Sequence, residues 1–274
     1  MQDKTVKLIE EAYQVLQEYN PMTLRQCYYQ LVSEHIIDNN INQYKRLSNA
    51  LVKARQQELI PWRWIEDRSR QPKVVGMWED LEDFLETVQV AYRKDIWDSQ
   101  PNCLEVWLEK DALSGIFEDI TRTYGVTLAV GRGYNSWSAY KDAAGRIVYQ
   151  GKPTTILYFG DFDPSGEDIV RALTESLGFF GIKEITVEKA ALTKEDVLTY
   201  NLPPGLTKKT DTRSKAFVAK YGDMAVELDA LPLPVLQERI KESIKTNLDL
   251  TALSEVYHQE KAEREELKTL LNKK

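Results

Sequence analysis

The sequence predicts an α/β protein, with a parallel sheet flanked by helices and preceded by a winged-helix-like domain. Three observations predict it. From Cys103 onward, short apolar runs rich in β-branched and aromatic residues alternate with helical stretches, as in strands joined by helical crossovers. Before that lie three segments with helical apolar spacing and then a short, partly alternating aromatic run. Proline-containing breaks at Asn20-Pro21 and at Asn201-Leu-Pro-Pro-Gly205 punctuate the pattern. The expected division is a winged-helix-like domain over 1–75, a linker helix over 76–99, and a sheet domain with C-terminal helices over 100–274.

The first helix runs from about Lys4 to Glu18 and ends at Asn20-Pro21, because the residue before a proline is pushed out of helical backbone. Thr23 caps the second, which reaches about Glu34 and places Leu24, Cys27, Tyr28, Leu31 and Val32 on one apolar face. The third, about Asn42 to Glu58, buries Tyr44, Leu47, Leu51 and Ala54. Lys45, Asn49 and Lys53 recur at i, i+4 and i+8 on its polar side, a row able to follow a phosphate backbone. Leu59 to Asp67 alternates in part like an edge hairpin with arginines beyond it, which completes a winged-helix candidate. An amphipathic linker helix follows over Trp78–Trp97. Strands are expected at Cys103–Glu109, Val126–Val130, Thr154–Gly160 and Glu184–Lys189. A basic loop around Lys208, Lys209, Arg213 and Lys215 precedes helix from about Pro234 to the end.

Composition narrows the function classes. A net charge of -7 argues against a surface coated in phosphate contacts, but Lys45, Arg46, Lys53, Arg55, Arg63, Arg68, Arg70 and Lys73 crowd one segment of this acidic chain. Cys27 and Cys103 fall in separate elements and offer no disulfide framework, which fits a reducing, cytoplasmic setting. With two well-separated histidines a zinc site is not expected, and no apolar run is long enough for a membrane span. The start, Met1 to Gln14, is acidic and amphipathic, unlike a signal segment.

The strongest local signal is Tyr158-Phe159-Gly160-Asp161-Phe162-Asp163-Pro164-Ser165-Gly166, an apolar strand ending on two acids one residue apart. In extended backbone, side chains at i and i+2 share a face, so Asp161 and Asp163 can meet one hard cation; an Asx-turn or helix cap is the plainer alternative. Glu109 ends the first strand just as Asp161 ends the third. Functional groups of open α/β sheets gather at strand carboxyl ends, where three carboxylates repel one another unless a divalent cation neutralises them. Magnesium suits all-oxygen ligands. Gly131-Arg132-Gly133-Tyr134-Asn135-Ser136 follows the second strand and can present Arg132 to a phosphate, or serve only as a turn.

These motifs, in this order, resemble the Toprim domain shared by topoisomerases, primases and several nucleases. Asp161-Phe162-Asp163-Pro164-Ser165-Gly166 is similar to the form found in the A subunit of topoisomerase VI and its meiotic double-strand-break relatives, which place a winged-helix domain in front. Leu24-Arg25-Gln26-Cys27-Tyr28-Tyr29 resembles their Arg-x-x-Tyr-Tyr motif, whose second tyrosine attacks DNA, and Glu227-Leu228-Asp229-Ala230-Leu231 resembles a downstream acidic segment. The similarity covers most of residues 20–245 and extends to bacterial and phage proteins of similar length. It implies a magnesium-dependent DNA-cleaving homodimer, with manganese as a possible substitute and the tyrosine of one subunit facing the metal of the other. Glu109, Asp161 and Asp163 are the implied metal ligands, and Glu109 is also a general acid or base.

Helical geometry puts Tyr28 on the apolar face and rotates Tyr29 off it by about 100°, so Tyr29 is expected to be exposed. Arg25, four residues earlier, is placed to steady a phosphate or favour the phenolate; packing of Tyr29 across the domain boundary is the rival outcome. Tyr29 or water as nucleophile, DNA or RNA as substrate, and a non-catalytic DNA-binding protein all stay open. No Gly-x-x-x-x-Gly-Lys-Ser/Thr loop is present, so ATP-driven strand passage would need a separate ATPase subunit.

Overall fold

Three N-terminal helices pack on one another before the chain enters its sheet. The structure, a computed structural model, describes residues 3–67, 75–131, 136–204 and 212–271. Helix α1 spans Asp3–Tyr19, α2 Leu24–Ser33 and α3 Ile41–Gln56. Thr23 and Gln26 close a capping box on α2, and the Asn40 side chain caps α3 by accepting from the Gln43 amide at 3.0 Å. Leu8, Leu16, Leu31, Leu47 and Leu51 are buried between them, as the helical spacing requires.

The hairpin expected over Leu59–Asp67 is not formed. Trp62–Trp64 is a 3-10 turn, and Ile65 makes a single parallel bridge to Met22. The aromatic residues that suggested strand serve packing instead: Trp64 lies 5.2 Å from Tyr13, and the Arg55 guanidinium sits 4.8 Å over Trp62. The linker helix is also shorter than expected. Helix α4 covers only Leu81–Ala91, capped by Asp80; the chain then leaves helical backbone at Tyr92 so that Ile96 and Trp97 can enter the core.

Strands β1 (Cys103–Leu108), β2 (Thr127–Val130), β3 (Thr154–Phe159) and β4 (Ile185–Ala191) form an all-parallel sheet in the order β2-β1-β3-β4. β1 is buried throughout and β3 nearly so, which is why both read as continuous apolar runs. Between strands run α5 (Ser114–Thr123), α6 (Trp137–Gln150) and α7 (Pro164–Phe179). After β4 come α8 (Lys194–Thr199) and α9 (Ser214–Tyr221), which begins inside the expected basic loop. The C-terminal helix is two helices, α10 (Leu233–Lys245) and α11 (Leu250–Leu271). One continuous apolar cluster joins the N-terminal helices, α10 and one face of the sheet, while α6 and α7 cover the other face. Among the described residues, no helix is long and apolar enough to cross a membrane.

Candidate active site

Adjacent strands β1 and β3 run in register with Leu108 opposite Phe159, so their carboxyl ends deliver Glu109 and Asp161 to the same place. The Glu109 amide donates to the Phe159 carbonyl at 2.9 Å, extending the ladder by one residue. Its carboxylate then folds back, where Oε2 accepts from the Tyr158 hydroxyl and the Asp161 amide, both at 2.9 Å. Gly160 makes this possible, since a Cβ there would fall 2.3 Å from the Tyr158 hydroxyl and 2.5 Å from Glu109 Oε2. Burial, then Glu109, raises the Tyr158 pKa, so the phenol remains a donor.

Asp161 Oδ1 accepts from the Leu228 amide at 2.7 Å and lies 3.0 Å from Lys110 Nζ. Burial pushes its carboxyl up to about 7; Lys110 opposes the rise and Glu109 adds to it. Asp163 is the N-cap of α7, its Oδ1 accepting from the Gly166 amide at 2.6 Å and the Ser165 hydroxyl at 2.8 Å. Gly166 admits this turn, because a Cβ there would stand 2.1 Å from the Asp161 carbonyl oxygen. The side chain between the acids, Phe162, is buried, in keeping with i, i+2 alternation.

Phe162 also pairs with Val226 in an antiparallel bridge, which lifts the 226–230 segment alongside Asp161. Glu227 and Asp229 arrive with it. Lys110 Nζ is 2.8 Å from Glu227 Oε2 and 2.7 Å from Asp229 Oδ2. From α2, Arg25 bonds Glu227 and reaches Asp229 Oδ2 at 3.2 Å, and the Tyr29 hydroxyl donates to Glu227 Oε2 at 2.6 Å. The Asp229 side chain is wholly buried, and its Oδ1 has no hydrogen-bond partner among the described residues. Burial pushes Glu227 up, but Lys110, Tyr29 and Arg25 outweigh it and hold the carboxyl at about 2.

Tyr29 is not the exposed residue that helical geometry predicts; it is only 7% exposed. Both sides of α2 are covered, one by α1 and α3 and the other by the Leu228–Ala230 turn, so a residue off the first apolar face lands against a second surface. Arg25 pulls toward the phenolate, as expected, but it is outweighed. Burial and the bond to Glu227 raise the Tyr29 pKa despite Arg25 and Lys110. The Tyr28 hydroxyl lies 3.1 Å from both Asn39 Oδ1 and the Asn40 carbonyl.

Lys45, Asn49 and Lys53 lie exposed along α3. Arg132 lies outside the described residues. Sequence reasoning missed Lys110 and assigned no role to Glu227 and Asp229. A signal was available in the Glu-x-Asp spacing of 227 and 229, a second alternating acidic pair.

No group of three or more His, Cys, Asp or Glu among the described residues could hold a metal ion. Glu109 and Asp161 still supply two neighbouring carboxylates, each with one oxygen outside the hydrogen bonds above. That donor set fits magnesium, which takes one or two carboxylates and completes its shell with water and substrate phosphate. The crevice between β1 and β3, whose crossovers depart to opposite sides, is where open α/β sheets bind ligands. A scan against protein-family models gives no match to this chain, and a search of curated proteins gives none either.

Proposed function

We propose that this protein cleaves phosphodiester bonds in DNA with a divalent cation held by Glu109 and Asp161. The observation that carries the proposal is the convergence of these acids at the ends of the two central strands, with Glu109 Oε2 2.9 Å from the Asp161 amide. A bound magnesium or manganese ion would neutralise charge at the scissile phosphate. Glu109, with Oε2 fixed by Tyr158 and the Asp161 amide, would hold the cation through its water shell, where its other oxygen can take a proton from the attacking water. Asp163 orients the turn that presents Asp161, and Lys45, Asn49 and Lys53 on α3 contact the backbone of the same DNA.

Water is the nucleophile in this proposal, because the Tyr29 hydroxyl is buried and committed to Glu227. A second version, with Tyr29 attacking to leave a protein-linked end, is favoured by one observation: Glu227 and Lys110 connect that hydroxyl to Asp161 in the same chain. Incubation with supercoiled plasmid and magnesium, followed by assay for protein-linked ends, separates the two. Free ends, cutting retained in Tyr29→Phe and lost by roughly a hundredfold or more in Asp161→Asn, are expected. Protein-linked ends that vanish in Tyr29→Phe would make the tyrosine the nucleophile. Absence of cutting with both magnesium and manganese would overturn the proposal.

A further inference from the structure

We propose that Lys110 is an interlock between the strand-end acids and Tyr29: its ammonium holds the position that a divalent cation would share at Asp161, and cation binding there releases it. Resting on the cation-dependent cleavage proposed above, this adds a coupling between that site and the docking of the N-terminal helices.

Lys110 carries three N–H donors and faces three carboxylates, Asp161 at 3.0 Å, Glu227 at 2.8 Å and Asp229 at 2.7 Å. Its side chain is 13% exposed, so water does little to screen these charges. Among the described residues, Asp161, Glu227 and Asp229, with Glu109 beside Asp161, thus share two cations, Lys110 and Arg25, while Lys189, which reaches the Asp161 carbonyl, is paired with Glu167. That imbalance, together with the buried Asp229 Oδ1, which has no partner among the described residues, leaves the described cluster short of positive charge.

A divalent ion on Asp161 would stand within a few ångströms of the ammonium, and like charges that close in a poorly screened site repel strongly. Lys110 is the group that can yield, since its four-carbon stem is flexible while Asp161 is fixed by the Leu228 amide. Its withdrawal would remove one of three donors from Glu227 Oε2, the atom that also receives the Tyr29 hydroxyl and Arg25. Tyr29 also lies directly beneath both cations, its ring centroid 5.9 Å from Lys110 Nζ and 5.6 Å from the Arg25 guanidinium. Coupling is reciprocal: if the cation weakens the interlock, the interlock weakens cation binding by the same factor.

Manganese binding to the full chain without nucleic acid, measured by calorimetry, tests this for the unmodified protein, Lys110→Met, and Lys110→Met combined with Asp229→Asn. The double variant restores the original net charge of the cluster and covers failure of the single variant to fold. Tyr29 exposure is read in parallel by nitration with tetranitromethane and peptide mapping. Removal of the ammonium should tighten manganese binding roughly tenfold or more. Manganese should raise Tyr29 nitration in the unmodified protein and leave it unchanged in the variants. Equal manganese affinities would overturn the interlock while leaving the cation site standing. No manganese binding in any of the three proteins would overturn both.

Discussion

Glu227 shows how a single side chain can join two parts of a chain. One oxygen receives Tyr29 and Arg25 from α2 and Lys110 from the end of β1, and the carboxyl pKa falls from 4.5 to about 2. A depressed folded-state value means this contribution to stability is present above about pH 4.5 and fades as the pH falls toward 2. Thermal unfolding followed across that window should show a steeper acid loss in the unmodified protein than in Glu227→Gln. Parallel curves would mean that Glu227 does not tie α2 to the strand end. Lys110 corrects a step in the electrostatic logic as well: crowded acids called for a cation, and an ammonium from the chain supplies part of that charge.

At the scale of elements, the strand-turn-helix unit from Thr154 to Phe179 carries two tasks in one motif. Asp161 faces the site, while Asp163 caps α7 and Gly166 lets the helix start against the Asp161 carbonyl. Asp163→Ala should therefore lower stability by about 1 kcal/mol through removal of the cap. Asp163→Asn, which retains an accepting oxygen, should cost little. Denaturant titration of both variants checks this, and equal destabilisation would argue against the cap as the source. β1 and β3 ended within one residue of their expected limits because burial on both faces leaves an unbroken apolar run. The 62–64 turn misled because tryptophans suit a pleated surface and a packed corner equally well.

For the whole molecule, the proposed function requires the basic row on α3 and the acid site to act on one nucleic acid despite the net charge of -7. Lys45→Ala combined with Lys53→Ala should weaken DNA binding across sequences. The magnitude of the log-affinity versus log-salt slope should drop by about 0.9 for each duplex phosphate that the protein no longer neutralises. An unchanged slope would mean that both lysines belong to a solvated helix face with no part in binding. The same variants should bind manganese normally, since α3 carries none of the acids at the strand ends.

The sequence by itself determined the parallel strands, the three N-terminal helices and the placing of Glu109 and Asp161 at strand ends. Each depends on a pattern within one segment: an unbroken apolar run in β3, period 3.6 in α2, a cap at Thr23. Only the tertiary structure decided what surrounds them. Tyr29 meets Glu227 across 198 residues and Arg25 meets it across 202, while Lys110 reaches Asp229 across 119. Local periodicity assigns a residue to one face of its own helix. Whether a second surface then covers the opposite face depends on where the Phe162–Val226 bridge carries the chain, and the segment it positions buries Tyr29.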